Sequence, residues 1–237
     1  MGYTIKKPSY IIQSGGETVD PLTPQAVYEA TRPAHWIDMP ETVNFNEVYI
    51  LIPIYETNQN LFAINVTSST NYSVDIIDRD STVIDTFTGQ SGVFETEIDW
   101  ADVNGAATNG EKQVLVKVYG ATITNVDFTQ AHSLISSVES SILEIKANYD
   151  GDFSVVGLKT LKYFDFLGEN TSTNFNEKFE YSYSLITILN LDTSIVTDMS
   201  YMFYYCHALQ TIPLLDTSIV TDMPNMFSSC YSLQTIP

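Results

Sequence analysis

The chain has 237 residues, of which 44% are hydrophobic and 16% charged, enough apolar material for one large domain or two smaller ones and too little charge for a disordered polyelectrolyte. The formal net charge is −19, and no Lys or Arg follows Lys178. A surface this acidic repels phosphate backbones, so nucleic-acid binding is not expected. No window reaches ~18 consecutive apolar residues, and Met1 to Pro8 carries two lysines with no apolar stretch behind them, so neither membrane insertion nor a secretory signal is expected.

In chain order, residues 1–43 hold prolines at 8, 21, 24, 33 and 40 and the pair Gly15-Gly16. That composition predicts an extended N-terminal arm, with Tyr10 and Trp36 available to dock onto a partner. Residues 44–130 read as β-structure. Val48 to Tyr55 is an apolar, β-branched run, and Leu61–Val66, Tyr72–Ile77 and Val114–Tyr119 come after it with Gly, Asn and Asp clusters between them. Short strands at this spacing predict a β-sandwich. Residues 131–142 are expected to form a helix or first turn joining the sandwich to the C-terminal part of the chain.

The strongest signal is a repeat of period 24. Leu191-Asp192-Thr193-Ser194-Ile195-Val196-Thr197-Asp198-Met199 returns as Leu215 to Met223, Met202-Phe203 as Met226-Phe227, Cys206 as Cys230, and Leu209 to Pro213 as Leu233 to Pro237. The frame runs backward with decay through Leu167, Phe175, Phe179, Leu185 and Ile188 to Leu143, Leu161 and Phe164, giving four coils from about residue 143. Met199, Met202, Phe203 and Cys206 fall at i, i+3, i+4 and i+7, which predicts a short helix capped by Thr197 or Asp198. Leu209 and Ile212 predict a short strand. The expected fold class is therefore mixed: an all-β sandwich over 44–130, then an α/β leucine-rich-repeat solenoid of period 24 over 131–237. Pro237 falls partway through a repeat, so the natural chain is expected to continue.

Little in the sequence points to catalysis. His35, His132 and His207 are far apart, there is no phosphate loop, nucleophile elbow or Cys/His ligand cluster, and no enzyme or cofactor is expected. Cys206 and Cys230 occupy equivalent repeat positions and read as buried free thiols, with a disulfide between neighbouring coils left open. Asp75, Asp78 and Asp80 cluster in an expected turn and are calcium candidates, as is Asp150-Gly151-Asp152; turn-forming aspartates are the plainer reading. Asp192, Thr193, Ser194 and Tyr204 recur or project once per coil and are the candidate partner-binding face.

With those residues named, the core Leu-Asp-Thr-Ser-x-Val-Thr-Asp-Met-x-x-Met-Phe-x-x-Cys-x-x-Leu resembles the BspA-type leucine-rich repeats of bacterial surface proteins, strongly over 191–237 and more faintly over 143–190. The resemblance implies surface adhesion to host glycans or proteins. Tyr72-Ser73-Val74-Asp75-Ile76-Ile77-Asp78-Arg79-Asp80 is similar to the signature of PKD-like sandwiches, without their Trp-Gly pair, and Lys117 to Gly120 with Val126 to Phe128 is similar to their closing strands. Arg32-Pro33-Ala34-His35-Trp36 to Pro40 resembles a segment of structural proteins from tailed phages of gut Bacteroides-type bacteria. These resemblances imply a fibre, spike or decoration protein in a virion. Arg32, Pro33 and Trp36 would anchor it to other virion proteins, and the repeats would face a host surface. A homotrimer is the expected assembly of a fibre, although no heptad is present. The alternative is a bacterial cell-surface adhesin, which needs an export signal.

Overall fold

The computed structural model describes residues 23–56, 60–129, 133 and 141–237, together with a two-stranded ribbon of β1 (Ile11–Ile12) and β2 (Thr18–Val19). The rest of the proposed arm, and most of the expected linker over 131–142, lie outside the described residues. Among the described residues one helix is present, α1 (Pro24–Thr31), which comes after the ribbon. Thr23 caps it, its hydroxyl accepting from the Ala26 N–H, and Pro24 fits a first turn whose N–H groups have no partner within the helix. Pro33 disfavours a helical Arg32, whose ψ of 125° ends the element. No helix among the described residues is long and apolar enough to cross a membrane.

Two sheets then build the core. The larger has seven strands in the order β13-β12-β10-β3-β8-β5-β6. These are β3 (Glu47–Tyr55), β5 (Tyr72–Ile77), β6 (Val83–Gln90), β8 (Glu111–Tyr119), β10 (Glu144–Asn148), β12 (Tyr163–Phe166) and β13 (Thr187–Ile188). The smaller has the order β11-β9-β4-β7, from β4 (Leu61–Ser68), β7 (Gly92–Glu97), β9 (Ile123–Asp127) and β11 (Asp152–Ser154). Alternation fixes which side chains meet between them. Val48, Ile50, Ile52 and Ile54 from β3 share one core with Val114, Val116 and Val118 from β8 and Phe62, Ile64 and Val66 from β4. This is the expected β-sandwich, and it runs past residue 130: β10 pairs with β3 antiparallel and β12 with β10 in parallel, so residues 144–166 belong to the same sheets.

The outer face of the large sheet is also covered, which is why β3 is buried on both sides. Trp36, only 4% exposed, packs with Leu51, Leu115, Leu143 and Tyr163, and Tyr28 and Met39 flank them. Residues 23–43 are therefore not a free arm. Tyr28 and Trp36 both meet the Tyr163 ring edge-on, at 5.1 and 5.8 Å. Arg32 reaches Glu144 at 2.9 Å with both side chains nearly buried, and the Tyr28 hydroxyl donates to the other Glu144 oxygen at 2.7 Å.

The expected α/β leucine-rich-repeat solenoid is not what forms. Residues 143–237 contain no helix, and beyond β13 the chain is a succession of tight turns. The reason lies in the backbone. Glu177, Tyr181, Tyr201, Tyr205, Asn225 and Ser229 all adopt left-handed φ between 55° and 65°. A left-handed residue every four positions cannot sit in an α-helix. Each turn instead closes with i→i−3 bonds, as from the N–H groups of Met202, Tyr204 and Cys206 to the carbonyls of Met199, Tyr201 and Phe203. The N–H groups between them point outward. Those of Met199, Tyr201, Phe203 and Tyr205 donate to the carbonyls of Asp222, Pro224, Met226 and Ser228 in the next copy. The preceding copy does the same from Phe175, Glu177, Phe179 and Tyr181 to Asp198, Ser200, Met202 and Tyr204. The i, i+3, i+4, i+7 spacing is thus produced by turns whose alternate N–H groups bind a neighbour.

Inside these copies the repeat positions stack. The Phe179, Phe203 and Phe227 rings lie nearly parallel at 5.4 and 5.5 Å. Cys206 and Cys230 are both free, and each thiol donates to a carbonyl 27 residues earlier, Phe179 and Phe203 respectively. Ser182 holds the same place one copy back, its hydroxyl donating to Val155. Burial pushes both thiols up, Cys230 to about 11, so neither carries the thiolate that reactivity needs. Leu167, placed in frame with Leu191, is 42% exposed and lies outside the stack.

Candidate binding face on the turn copies

Because the copies lie in register, any ring that recurs at the period is placed over its equivalent. Tyr183, His207 and Tyr231 form such a column, with centroids 5.2 and 5.1 Å apart and interplanar angles of 34° and 29°. Beside it Tyr181 faces Tyr205 at 5.5 Å. Tyr204 bridges the two, meeting Tyr205 at 4.4 Å and Tyr181 at 6.0 Å, and Tyr201 meets Tyr204 at 5.4 Å. The outermost rings are open to solvent, Tyr231 at 77% and Tyr181 at 39%. The His207 Nε2 is buried in the column with no hydrogen-bond partner among the described residues.

Acid lies next to these rings. The Glu180 charge is the main cause holding the Tyr181 hydroxyl above its ordinary range, and Glu180 also acts on Tyr204, whose hydroxyl is raised first by its hydrogen bond with Tyr205. Burial, reinforced by Glu177, pushes the Glu180 carboxyl itself up. No Lys or Arg is present in the sequence after Lys178.

The residues singled out from sequence divide. Of the repeat-face candidates, Tyr204 belongs to the aromatic cluster. Ser194 is exposed, and its N–H donates to Asp192 at 3.0 Å. Hydrogen bonds from Ser194 and from the Asn170 N–H, at 3.1 Å, hold the Asp192 carboxyl below its usual range against the opposing effect of burial. Thr193 is buried; its hydroxyl donates to the Asp216 carbonyl at 3.1 Å and accepts from the Asp216 N–H at 2.7 Å, so it joins two copies and offers nothing to solvent. Trp36 and Arg32 are committed to the chain's own sheet, and Pro33 accepts from the Trp36 N–H there.

The three aspartates of the calcium candidate are not brought together. Asp78 is buried and folds the turn around itself, accepting from the N–H groups of Asp80 and Thr82 and from the Asn104 amide. Asp75 accepts instead from Thr86 and Tyr119 hydroxyls across β5, β6 and β8. In the second candidate, Asp152 pairs with Lys178 at 2.5 Å while Asp150 accepts from the Glu169 N–H. Among the described residues no three His, Cys, Asp or Glu side chains are grouped as a metal would require.

Tyr181, Tyr183, Tyr201, Tyr205 and Tyr231 were not singled out from sequence, and His207 was weighed there only as a histidine far from the other two. The spacing of Tyr183, His207 and Tyr231 was available there, but which face of the repeat it occupies depends on the turns.

The fold so described is a β-sandwich carrying in-register turn copies with an aromatic face. A family model described as "Mycoplasma protein of unknown function, DUF285" matches residues 170–236, which is the turn-copy region and less than a third of the chain. No curated protein and no solved structure matches.

Proposed function

We propose that this chain is a structural display protein that binds through its turn copies and performs no catalysis. The observation that carries this reading is the register of the copies, which converts a sequence repeat into a column of stacked, half-buried rings ending in the exposed Tyr231. Tyrosine supplies large contact area at low entropic cost, and repetition of one contact along a column favours multivalent binding. The sandwich serves as a rigid base, since its sheets continue directly into β13 and the first turns.

The proposed setting is the virion of a tailed phage, as a fibre, spike or decoration protein facing a host-surface ligand. Support for that setting is the resemblance of the segment order, from Arg32–Pro40 through the sandwich to the repeats. Attachment to the particle is assigned to the chain ahead of α1, because Arg32 and Trp36 are occupied within the fold. An antibody against residues 170–237, imaged on purified particles and on cell envelopes of the source culture, tests it. Label at one defined place on virions is the expected result. Label on bacterial envelopes with bare virions would replace this setting with a cell-surface adhesin.

A further inference from the structure

We infer that the tyrosine cluster around Tyr181, Tyr204 and Tyr205 is a site for the cationic side chains of a lysine- or arginine-bearing polypeptide segment. The inference rests on the proposed binding role of the turn copies and names its ligand chemistry. Three observations converge on it.

The first is the company that this chain's own cations keep. Arg32 lies over Tyr28 and Trp36, Lys112 over Trp100, Lys117 over Tyr49 and Tyr119, Lys162 over Trp36, and Lys178 over Phe153 and Phe175, at 4.6 to 5.8 Å from the ring centroids. In the body of the molecule, aromatic faces and cations are matched. The densest group of tyrosines lies instead after Lys178, beyond which the sequence has no Lys or Arg.

The second is charge. The Glu180 carboxylate hydrogen-bonds with the Tyr181 hydroxyl and acts through its charge on Tyr204, and the Glu177 charge acts on Glu180. Ring faces carry negative quadrupole potential, and a carboxylate at their edge adds to it, so an ammonium or guanidinium group is attracted by both. A neutral ligand could hydrogen-bond to the carboxylates but would gain no attraction between opposite charges, and an anionic one would be repelled.

The third is backbone cost. Tyr181 and Tyr205 hold φ of 59° and 61°, a region unfavourable for bulky side chains. The equivalent positions one copy earlier and one copy later are Gly157 and Ser229, also at positive φ. Small residues satisfy the turn there. Tyrosine at the two middle copies is tolerated at an energetic cost, which the fold alone does not require.

The test uses the full chain and fluorescein-labelled octalysine and octaarginine peptides, monitored by fluorescence anisotropy at physiological salt. Tyr181→Asn with Tyr205→Asn keeps residues that accept positive φ, and is expected to weaken both peptides at least tenfold with the melting temperature unchanged or raised. Glu180→Gln is expected to weaken them several-fold. Asp85→Asn with Asp99→Asn, a larger charge change on the sandwich, is expected to leave affinity unchanged. Equal weakening by that control would overturn the site in favour of diffuse attraction to an acidic protein. So would native affinity in the double tyrosine variant. Binding of a neutral oligosaccharide such as cellohexaose at these tyrosines, with no peptide binding, would overturn the ligand class. Particle labelling that succeeds while peptide binding fails would leave the display role standing and remove only this inference.

Discussion

The sandwich and the turn copies solve the same problem by different routes. Both must satisfy every buried backbone N–H and C=O. In the sandwich the partners come from far along the chain: β3 pairs with β8 and β10, and residues 48 and 118 sit opposite each other. In the copies each outward N–H finds a carbonyl 23 residues later, in a segment of nearly the same sequence. The sandwich therefore encloses its apolar side chains from several directions, whereas each copy encloses only the layer it shares with its neighbours. Side chains on the outside of the copies come into line without any pressure from packing, and that is what makes an aromatic column possible.

Removing a ring from the shared layer should break the comparison most severely. Phe203 is fully buried between Phe179 and Phe227, so Phe203→Ala is expected to cost about 4 kcal/mol of unfolding free energy. Chemical denaturation monitored by tyrosine fluorescence reads it. A loss confined to the copies, with the sandwich unfolding as before, would show that the two regions are separate cooperative units.

The next effect belongs to the sandwich. Arg32→Met leaves the nearly buried Glu144 without its countercharge and is expected to cost about 3 kcal/mol at neutral pH. Burial holds the Glu144 carboxyl above its ordinary range even beside Arg32. A carboxyl raised in the folded state stabilises the fold fully below its unfolded pKa, and that contribution is lost as pH rises through the raised value. The variant's deficit should therefore shrink as pH falls into the carboxylate range. A deficit independent of pH would assign Arg32 a packing role only.

Much of this was legible beforehand. The β-branched runs at Val48–Tyr55 and Val114–Tyr119 announced the central strands, and the period of 24 announced that copies would lie over one another. What could not be read was the local conformation inside a copy. Apolar residues at i, i+3, i+4 and i+7 satisfy a helix and a run of turns equally, and the left-handed positions 177, 181, 201 and 205 are occupied by Glu and Tyr, residues that do not advertise positive φ. Trp36 looked free because prolines surround it, yet the outer face of β3 and β8, at Leu51 and Leu115, needed a cover. Thr193 recurred like a surface residue, yet its hydroxyl joins its copy to Asp216 of the next.

Smaller effects sharpen the same contrast. Thr193→Val removes both hydrogen bonds to Asp216 while preserving shape, and is expected to cost about 1–2 kcal/mol, seen as a lower melting temperature. His207→Phe removes a buried nitrogen with no partner among the described residues and keeps the ring stack, so a gain of about 0.5 kcal/mol is expected from the same measurement. A loss instead would reveal that Nε2 is bonded.

The most direct test of the account is amide hydrogen exchange across the copies, because the register that aligns the tyrosines is written in alternate N–H groups. The N–H groups of Met199, Tyr201, Phe203 and Tyr205 donate to the next copy and should be strongly protected, as should those of Phe175, Glu177, Phe179 and Tyr181, which donate in the same way. Fast exchange at Met199, Tyr201, Phe203 and Tyr205 while the turn-closing N–H groups of Met202, Tyr204 and Cys206 stay protected would contradict it.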